Sequence, residues 1–288
     1  MIKSDLVSVI VNCRNGEEFL STSINSILNQ SYKNFEIIFF DNYSTDKSLE
    51  IIKRINSEKI KIYQSKKLLK LYNARNLAIS KSTGKYITFL DVDDSWEVSK
   101  LEKQIEIIKK DSSDIVYTNF WVINKKKKIF SSKTLPSKDL HVKFLKEYPI
   151  CISSVMIKSY IFRDLKILFN DFYEIIGDFD LMYRLSKKFK FSVIQEPLIN
   201  YLDHKKNTSK VKLYQRTVEM DMWIENFKEK NANANYNLDN IIEKNLYFKC
   251  KYFIDNNDHS QYLENYNKKK KIYEKIKLNI HRILKKFK

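Results

Sequence analysis

The chain has 288 residues, 43% of them hydrophobic, which is enough to bury a sizeable core and excludes wholesale disorder. Three scattered cysteines, Cys13, Cys151 and Cys250, exclude a disulfide framework and any zinc spacing and fit a reducing compartment. The net charge of +18 invites an anionic partner, although the abundance of Lys, Asn, Ile and Tyr is also what an AT-rich genome would impose.

The N-terminus carries too short an apolar run for a signal peptide, and no stretch of ~18 apolar residues offers a membrane span. A cytosolic protein, or one on the cytosolic face of a membrane, is expected. Residues 6–12, LVSVIVN, form an apolar run of strand length. Leu20, Ile24, Ile27 and Leu28 then fall at helical spacing. A second buried strand is expected over 35–42, a helix over 46–55 and a half-exposed strand over 59–65. Residues 73–82 read as a helix, 85–91 as a fourth strand, 99–110 as a helix capped by Ser99, and 114–123 as a fifth strand. This alternation predicts a mainly parallel sheet covered on both faces.

Beyond about residue 139 the order loosens. Residues 151–159 read as a strand entering a helix, 177–189 as an amphipathic helix, and 191–204 as a strand pair broken at Pro197. After about residue 210 the pattern is helical, interrupted by the polar NANANYN at 231–237. The Lys run at 125–128 reads as a solvated hairpin turn. The expected domains are a catalytic one over 1–210, with halves meeting near 124, and a helical extension over 211–288.

In parallel sheets ligands bind beyond the carboxyl ends of strands. Polar residues collect at those ends: Asn12 and Arg14-Asn15-Gly16, Asp41-Asn42, and the cluster Asp91-Val92-Asp93-Asp94. Three carboxylates within four residues repel one another. Such a cluster either caps the next helix or holds a cation such as Mg2+ or Mn2+, which prefer oxygen ligands and retain phosphates and water. Arg75, opening the preceding helix, would suit a bound diphosphate. The three glycines, Gly16, Gly84 and Gly177, mark the first loop, the turn before the acidic strand and the start of the 177–189 helix, consistent with tight backbone there.

At the C-terminus, Ile272, Ile276, Ile280, Ile283 and Phe287 form one helical stripe flanked by Lys275, Lys277, Arg282, Lys285, Lys286 and Lys288. From Tyr266 to Lys288 there are ten Lys or Arg and one acid, Glu274. A basic amphipathic helix of this kind can lie on an anionic bilayer; a terminal helix packed on the domain is the alternative. No helix-turn-helix, zinc or RNA-binding signature supports a nucleic-acid partner.

Several blocks together resemble one family. VSVIVNCRNGEEFLSTSINSILNQSYKNFEIIFFDNYSTDKS resembles the opening of the family 2 glycosyltransferases, NARNLAISKSTGKYITFLDVDDSWEVSKLEKQIE their DxD block, and IGDFDLMYRLSKKF their catalytic block. QEPLINYLDHKKNTS is similar to the segment that follows in bacterial surface-glycan members. The resemblance implies a GT-A fold (an α/β, Rossmann-like nucleotide-diphospho-sugar transferase fold) and transfer of a sugar with inversion at the anomeric carbon. It implies that Asn12, Arg14, Asp41 and Asn42 line the nucleobase pocket and that Arg75 helps hold the nucleotide. Asp91, Val92 and Asp93 form the DxD, with Asp93 the better metal ligand, Asp91 beside it, and His204 a third metal ligand or a phosphate contact. Asp178 falls at the general base. The implied partners are a nucleotide-sugar, with a UDP-sugar favoured, a glycan or lipid-linked glycan acceptor, a divalent Mn2+ or Mg2+ ion, and an anionic membrane surface on the inner face of the cell membrane. A catalytically silent relative is the rival reading, which the intact Asp93 and Asp178 oppose. Three positions depart from the family pattern. Asn42 stands where a second acid is common, Arg14 where an aromatic is common, and Gly177 where Glu is common.

Overall fold

The computed structural model describes residues 5–124, 127–130, 134–233 and 236–258. The expected C-terminal amphipathic helix lies outside the described residues, as does the first half of the Lys run at 125–128. Two compact units are present. One holds the residues up to Phe144 together with Tyr148–His204; the other holds Leu145–Glu147 and the residues from Lys205 onward.

The elements of the first unit are, in order, β1 (Val7–Cys13), α1 (Leu20–Leu28), β2 (Phe35–Asp41), α2 (Ser48–Ile55), β3 (Ile60–Gln64), α3 (Leu71–Ser80), β4 (Tyr86–Phe89), β5 (Ser95–Trp96), α4 (Lys100–Lys110), β6 (Ile115–Asn124), β7 (Lys127–Phe130) and α5 (Leu140–Lys146). A 3-10 turn at Ile152–Ser154 leads into β8 (Met156–Lys158), α6 (Tyr160–Arg163), α7 (Gly177–Ser186) and β9 (Phe191–Leu202). All but the last residues of α5 belong to this unit. One sheet runs in the order β3-β2-β1-β4-β8-β6-β9-β5, with β7 paired to β6.

The first four strands of that order are parallel, as the alternation predicts. Of these, β1, β2 and β4 read as unbroken apolar runs because both faces are covered, with Val7, Val9, Val11, Ile37, Ile38 and Phe39 fully buried, whereas β3 at the edge is half-exposed. Beyond β4 the sheet is mixed. β8 pairs antiparallel with both β4 and β6, β5 antiparallel with β9, and β6 parallel with β9.

Two local expectations are corrected. Residues 191–202 form one continuous strand, not a pair broken at Pro197. Proline has no N–H to give to a ladder, and the register with β6 shifts on both sides of Asn119, the partner of Pro197. Ser99 occupies the N-cap position of α4 but makes no side-chain capping bond. The N–H of Leu101 is satisfied by Gln30 Oε1 at 3.0 Å instead.

The second unit contains α8 (Thr208–Val211), α9 (Leu213–Lys230) and α10 (Asp239–Asp255), with α9 packed on α10. Asn245 Nδ2 donates to Thr217 O at 2.9 Å and to Asp221 Oδ1 at 2.8 Å, which fixes the helix pair. No helix among the described residues is long and apolar enough to cross a membrane.

A buried carboxylate ties the first strands together. Ser8 Oγ donates to Glu36 Oε1 at 2.5 Å, Thr83 N and Oγ1 donate to the same oxygen at 2.7 and 2.8 Å, and Lys61 Nζ reaches Oε2 at 2.6 Å. Beside it, Gly84 N donates to Ser8 Oγ at 2.8 Å, and a Cβ on Gly84 would stand 2.7 Å from Leu6 O and from Ser8 N. Burial alone would raise the Glu36 carboxyl, but these bonds outweigh it and bring its pKa down to about 2. A depressed carboxylate stabilises the fold above its ordinary pKa and loses that contribution as the pH falls toward the folded value. Stability is therefore expected to drop by about 3 kcal/mol between about pH 5 and pH 2 on account of Glu36. Urea titrations across that range should show the drop, and Glu36→Gln should remove this part of the slope.

Candidate active site

β1, β2 and β4 deliver their carboxyl ends to one side of the sheet. Cys13 pairs with Asp41, and Ile10 with Phe89, so β1 and β2 run on past the point where β4 ends. The loops beyond β1 and β2 are cross-linked: Asn42 N donates to Cys13 O at 2.7 Å, Thr45 N to Asn15 Oδ1 at 2.8 Å, and Gly16 N to Ser48 Oγ at 2.9 Å. A Cβ on Gly16 would collide with Val92, so this glycine lets the first loop meet the DxD turn.

Asp41 is fully buried and accepts from Ser44 N at 3.1 Å through Oδ2. Its Oδ1 and both polar atoms of the Asn12 side chain are buried with no hydrogen-bond partner among the described residues. Buried polar atoms are normally paired, so these three form a set of donor and acceptor positions suited to the edge of a polar ligand. Asn42 behaves differently. Its Nδ2 donates to Leu69 O at 2.9 Å, and its Oδ1 accepts from Leu69 N at 3.0 Å, so the amide pins the loop before α3. Arg14 is exposed, and Tyr43 beside Asn42 is half-exposed with a φ of 63°.

Arg75 sits on α3 with its guanidinium buried among the rings of Tyr72, Phe89 and Phe169, at 5.6, 5.8 and 5.5 Å. Its Nη2 meets Asp91 Oδ1 at 2.6 Å. Burial raises the Asp91 carboxyl above the usual carboxylate range; Arg75 opposes that and Asp93 adds to it. Asp94 is buried, accepting from Ser153 Oγ at 2.7 Å and from Leu202 N at 3.2 Å. Burial, then the charges of Asp93 and Asp91, push its carboxyl well up. Asp94 thus braces the turn against the 3-10 segment and the end of β9, in keeping with a supporting role.

Asp93 Oδ2 lies 3.0 Å from His204 Nε2, and the His204 ring stacks on Phe19 at 4.9 Å. Among the described residues no group of three or more His, Cys, Asp or Glu side chains converges as a metal-ligand set. The carboxylate of Asp93 and the imidazole of His204 remain partly open, at 27% and 20% exposure. Two such donors with open positions fit a Mg2+ or Mn2+ ion that completes its shell with water and phosphate oxygens. Asp91 is 39% exposed, with its Oδ1 engaged by Arg75.

Asp178 lies in the first turn of α7, half-buried, with Oδ1 accepting from Phe179 N at 2.8 Å and from Tyr72 OH at 3.3 Å. Burial raises its carboxyl above the usual range; Phe179 N–H, Arg75 and Tyr72 oppose this, and Asp91 adds to it. Arg75 and Asp91 therefore act electrostatically on Asp178, which places the predicted base beside the DxD. Phe19, Tyr72, Phe169 and Ser153 also belong to this site and carried no sequence signal beyond looking like core or loop residues.

A curled mixed sheet with an acidic turn at its parallel strand ends defines a GT-A glycosyltransferase fold. TarS of S. aureus (residues 1–349, solved with UDP-GlcNAc) superposes with a TM-score of 0.66 at 17% identity, over 90% of this chain and 79% of that one. Residues 8–171 match the profile of glycosyl transferase family 2. The chain belongs to that family. It is 34% identical over 152 residues to the Escherichia coli UDP-Glc:alpha-D-GlcNAc-diphosphoundecaprenol beta-1,3-glucosyltransferase WfgD, covering 52% of this chain and 60% of that protein. It is 31% identical over 209 residues to the amylovoran biosynthesis glycosyltransferase AmsB of Erwinia amylovora, covering 67% and 68%. The chain thus spans about three-fifths of the length of WfgD and two-thirds of that of AmsB.

The Arg75–Asp91 pair gives a direct test of the site's electrostatics. Arg75 is buried but Asp91 is 39% exposed, so losing the guanidinium leaves a carboxylate that water reaches in part, at a cost of about 2 kcal/mol. Arg75→Met is expected to cost that much in chemical denaturation, and Arg75→Lys, which keeps the charge but loses the planar fork, distinctly less. Equal costs would show that the guanidinium serves packing and not the charge on Asp91.

Proposed function

We propose that this chain is an inverting glycosyltransferase that moves a sugar from a UDP-sugar to a hydroxyl of a lipid-linked glycan in bacterial surface-glycan synthesis. The observation that carries this reading is the Asp178 carboxylate, held by Phe179 N and Tyr72 OH on the side of the site that holds the Arg75–Asp91 pair. The names of the relatives support the substrates: WfgD takes UDP-Glc and an undecaprenol-diphosphate acceptor, and TarS was solved with UDP-GlcNAc.

Asp41 Oδ1 and the Asn12 amide would pair with the base, with Arg14 and Tyr43 at its edge. Asn42 would act indirectly, by fixing the loop. Arg75, held in its ring cage, would set Asp91 toward the ribose. Asp93 and His204 would hold a divalent ion, which supplies Lewis-acid neutralisation of the diphosphate charge when bound. Asp178 would take the proton of the acceptor hydroxyl as its oxygen attacks the anomeric carbon. The bond from that carbon to the diphosphate breaks, and the diphosphate leaves with the electron pair. One displacement inverts the centre.

Asp93→Ala is expected to abolish Mn2+-dependent UDP binding in calorimetry while the fold persists. Asp178→Asn should bind donor normally but lose transfer by ~10²-fold or more. Near-normal turnover of that variant, or product of retained configuration by NMR, would overturn the reading.

The basic tail motivates a location on the inner face of the cell membrane. Each Lys or Arg near an anionic surface contributes about 1 kcal/mol, screened by salt. Deleting residues 266–288 should release the protein from anionic liposomes and slow transfer to a lipid-linked acceptor more than to a soluble fragment. A full-length protein that ignores such liposomes at low salt would refute the membrane contact.

A further inference from the structure

Tyr72 is 2% exposed and lies in the first turn of α3, where its ring is part of the cage around Arg75. Its ring stacks on Phe169 at 5.3 Å. On its other contact it fills the space above Gly177: a Cβ at position 177 would stand 2.5 Å from Tyr72 Cδ2 and Cε2 and 2.8 Å from Cγ. The ring is wedged and buried, so it has little room to yield. Its hydroxyl lies 3.0 Å from Ile175 O and 3.3 Å from Asp178 Oδ1. Phe179 N–H reaches that same Oδ1 at 2.8 Å. Asp178 Oδ2 is bonded to nothing among the described residues.

We propose that Tyr72 is the positioning residue for Asp178: its phenol and the Phe179 N–H hold Oδ1, leaving Oδ2 to take the acceptor's proton, and residue 177 is glycine because the Tyr72 ring occupies the space of a side chain. The inference rests on the reading of Asp178 as the base. A hydroxyl has one proton to give. While Asp178 is charged the phenol is drawn to its carboxylate, since bonds to ionised acceptors are the stronger ones. Once Oδ2 carries a proton, the phenol turns to Ile175 O, and no buried donor is stranded in either state.

The groups acting on Asp178 come from three other segments: Tyr72 and Arg75 on α3, Asp91 after β4, and Tyr148 after α5. Of these only Arg75 and Tyr72 favour the charged carboxylate. Removing the hydroxyl alone therefore raises the Asp178 pKa, and the charged base is reached only at higher pH.

The test uses the full chain and two kinds of variant. Tyr72→Phe keeps the ring and should retain the UDP dissociation constant and the melting temperature within a few degrees. Its kcat should fall roughly 10-fold at neutral pH. The acid limb of its kcat profile should move to higher pH, and the carboxyl 13C titration of Asp178 should move with it. A merely structural residue would lower kcat equally at every pH. Gly177→Ala should melt well below the wild type, and the penalty should largely vanish when the same change is made in a Tyr72→Ala chain. An unmoved titration in Tyr72→Phe, or the same Gly177→Ala penalty in both backgrounds, would overturn the proposal. The two readings separate cleanly. If Asp178→Asn stays active, the base assignment fails, while the 13C titration and the melting cycle still judge the Tyr72 geometry. If Asp178→Asn is inactive and Tyr72→Phe has a normal pH profile, the base stands and the positioning role fails.

Discussion

Three carboxylates within four residues cannot all stay charged and close unless something offsets them, and each is offset differently here. Asp91 is met by a guanidinium at 2.6 Å. Asp94 is buried, bonded by Ser153 and Leu202, and pushed toward its neutral form. Asp93 meets the imidazole of His204 and stays partly open to solvent. One acid is thus met by a guanidinium, one withdrawn into the interior and one set against an imidazole. Repulsion, which at first sight makes the DVDD turn improbable, becomes the reason why the turn after β4 is approached from so many directions.

Those directions account for much of the architecture around the site. Arg75 reaches Asp91 from α3 with its guanidinium held among aromatic rings, where a lysine would bring a point charge and no fork. Ser153 can reach Asp94 because the chain makes a 3-10 turn just before β8 inserts antiparallel between β4 and β6. Leu202 and His204 arrive because β9 runs unbroken past Pro197 to the edge of the turn. The mixed half of the sheet is therefore tied to the acidic turn by hydrogen bonds as well as by packing.

The parallel half was legible in the sequence for a physical reason. Strands covered on both faces read as unbroken apolar runs, and β1, β2 and β4 do so within a residue or two. The ends of those strands also drew attention to the candidate site, because polar residues collect at the carboxyl edge of the buried strands and the structure brings them to one side of the sheet. What stayed hidden has a common cause. β5 is two residues long, and α5 has no long period to detect. Pro197 looked like a break because a ladder cannot take its missing donor, and only the partner strand, through the shift at Asn119, could absorb it. Asn42 was assigned to the nucleobase pocket by position, yet its amide is occupied by the backbone of Leu69, a contact 27 residues away that no local pattern encodes. Tyr72, Phe19 and Phe169 were invisible as site residues because a buried aromatic reads as core whichever neighbour it braces.

The glycines carry the same lesson further. A chain with three glycines should spend them where the backbone needs a left-handed turn, and their placement beside the site invited that reading. None of the three has a positive φ. Left-handed positions fall instead to residues such as Asn15, Tyr43 and Asn56. Each glycine is there for space. Gly16 admits Val92, Gly84 admits the Leu6 carbonyl and Ser8, and Gly177 admits the ring of Tyr72. Asn can hold a left-handed turn at modest cost, since its short polar side chain bonds locally, but no side chain can vacate the volume of its own Cβ. In a chain so poor in glycine, the residue is kept for the one demand that nothing else can meet. Those demands fall where the first loop, the start of β4 and the helix that carries Asp178 must be brought within contact of their neighbours.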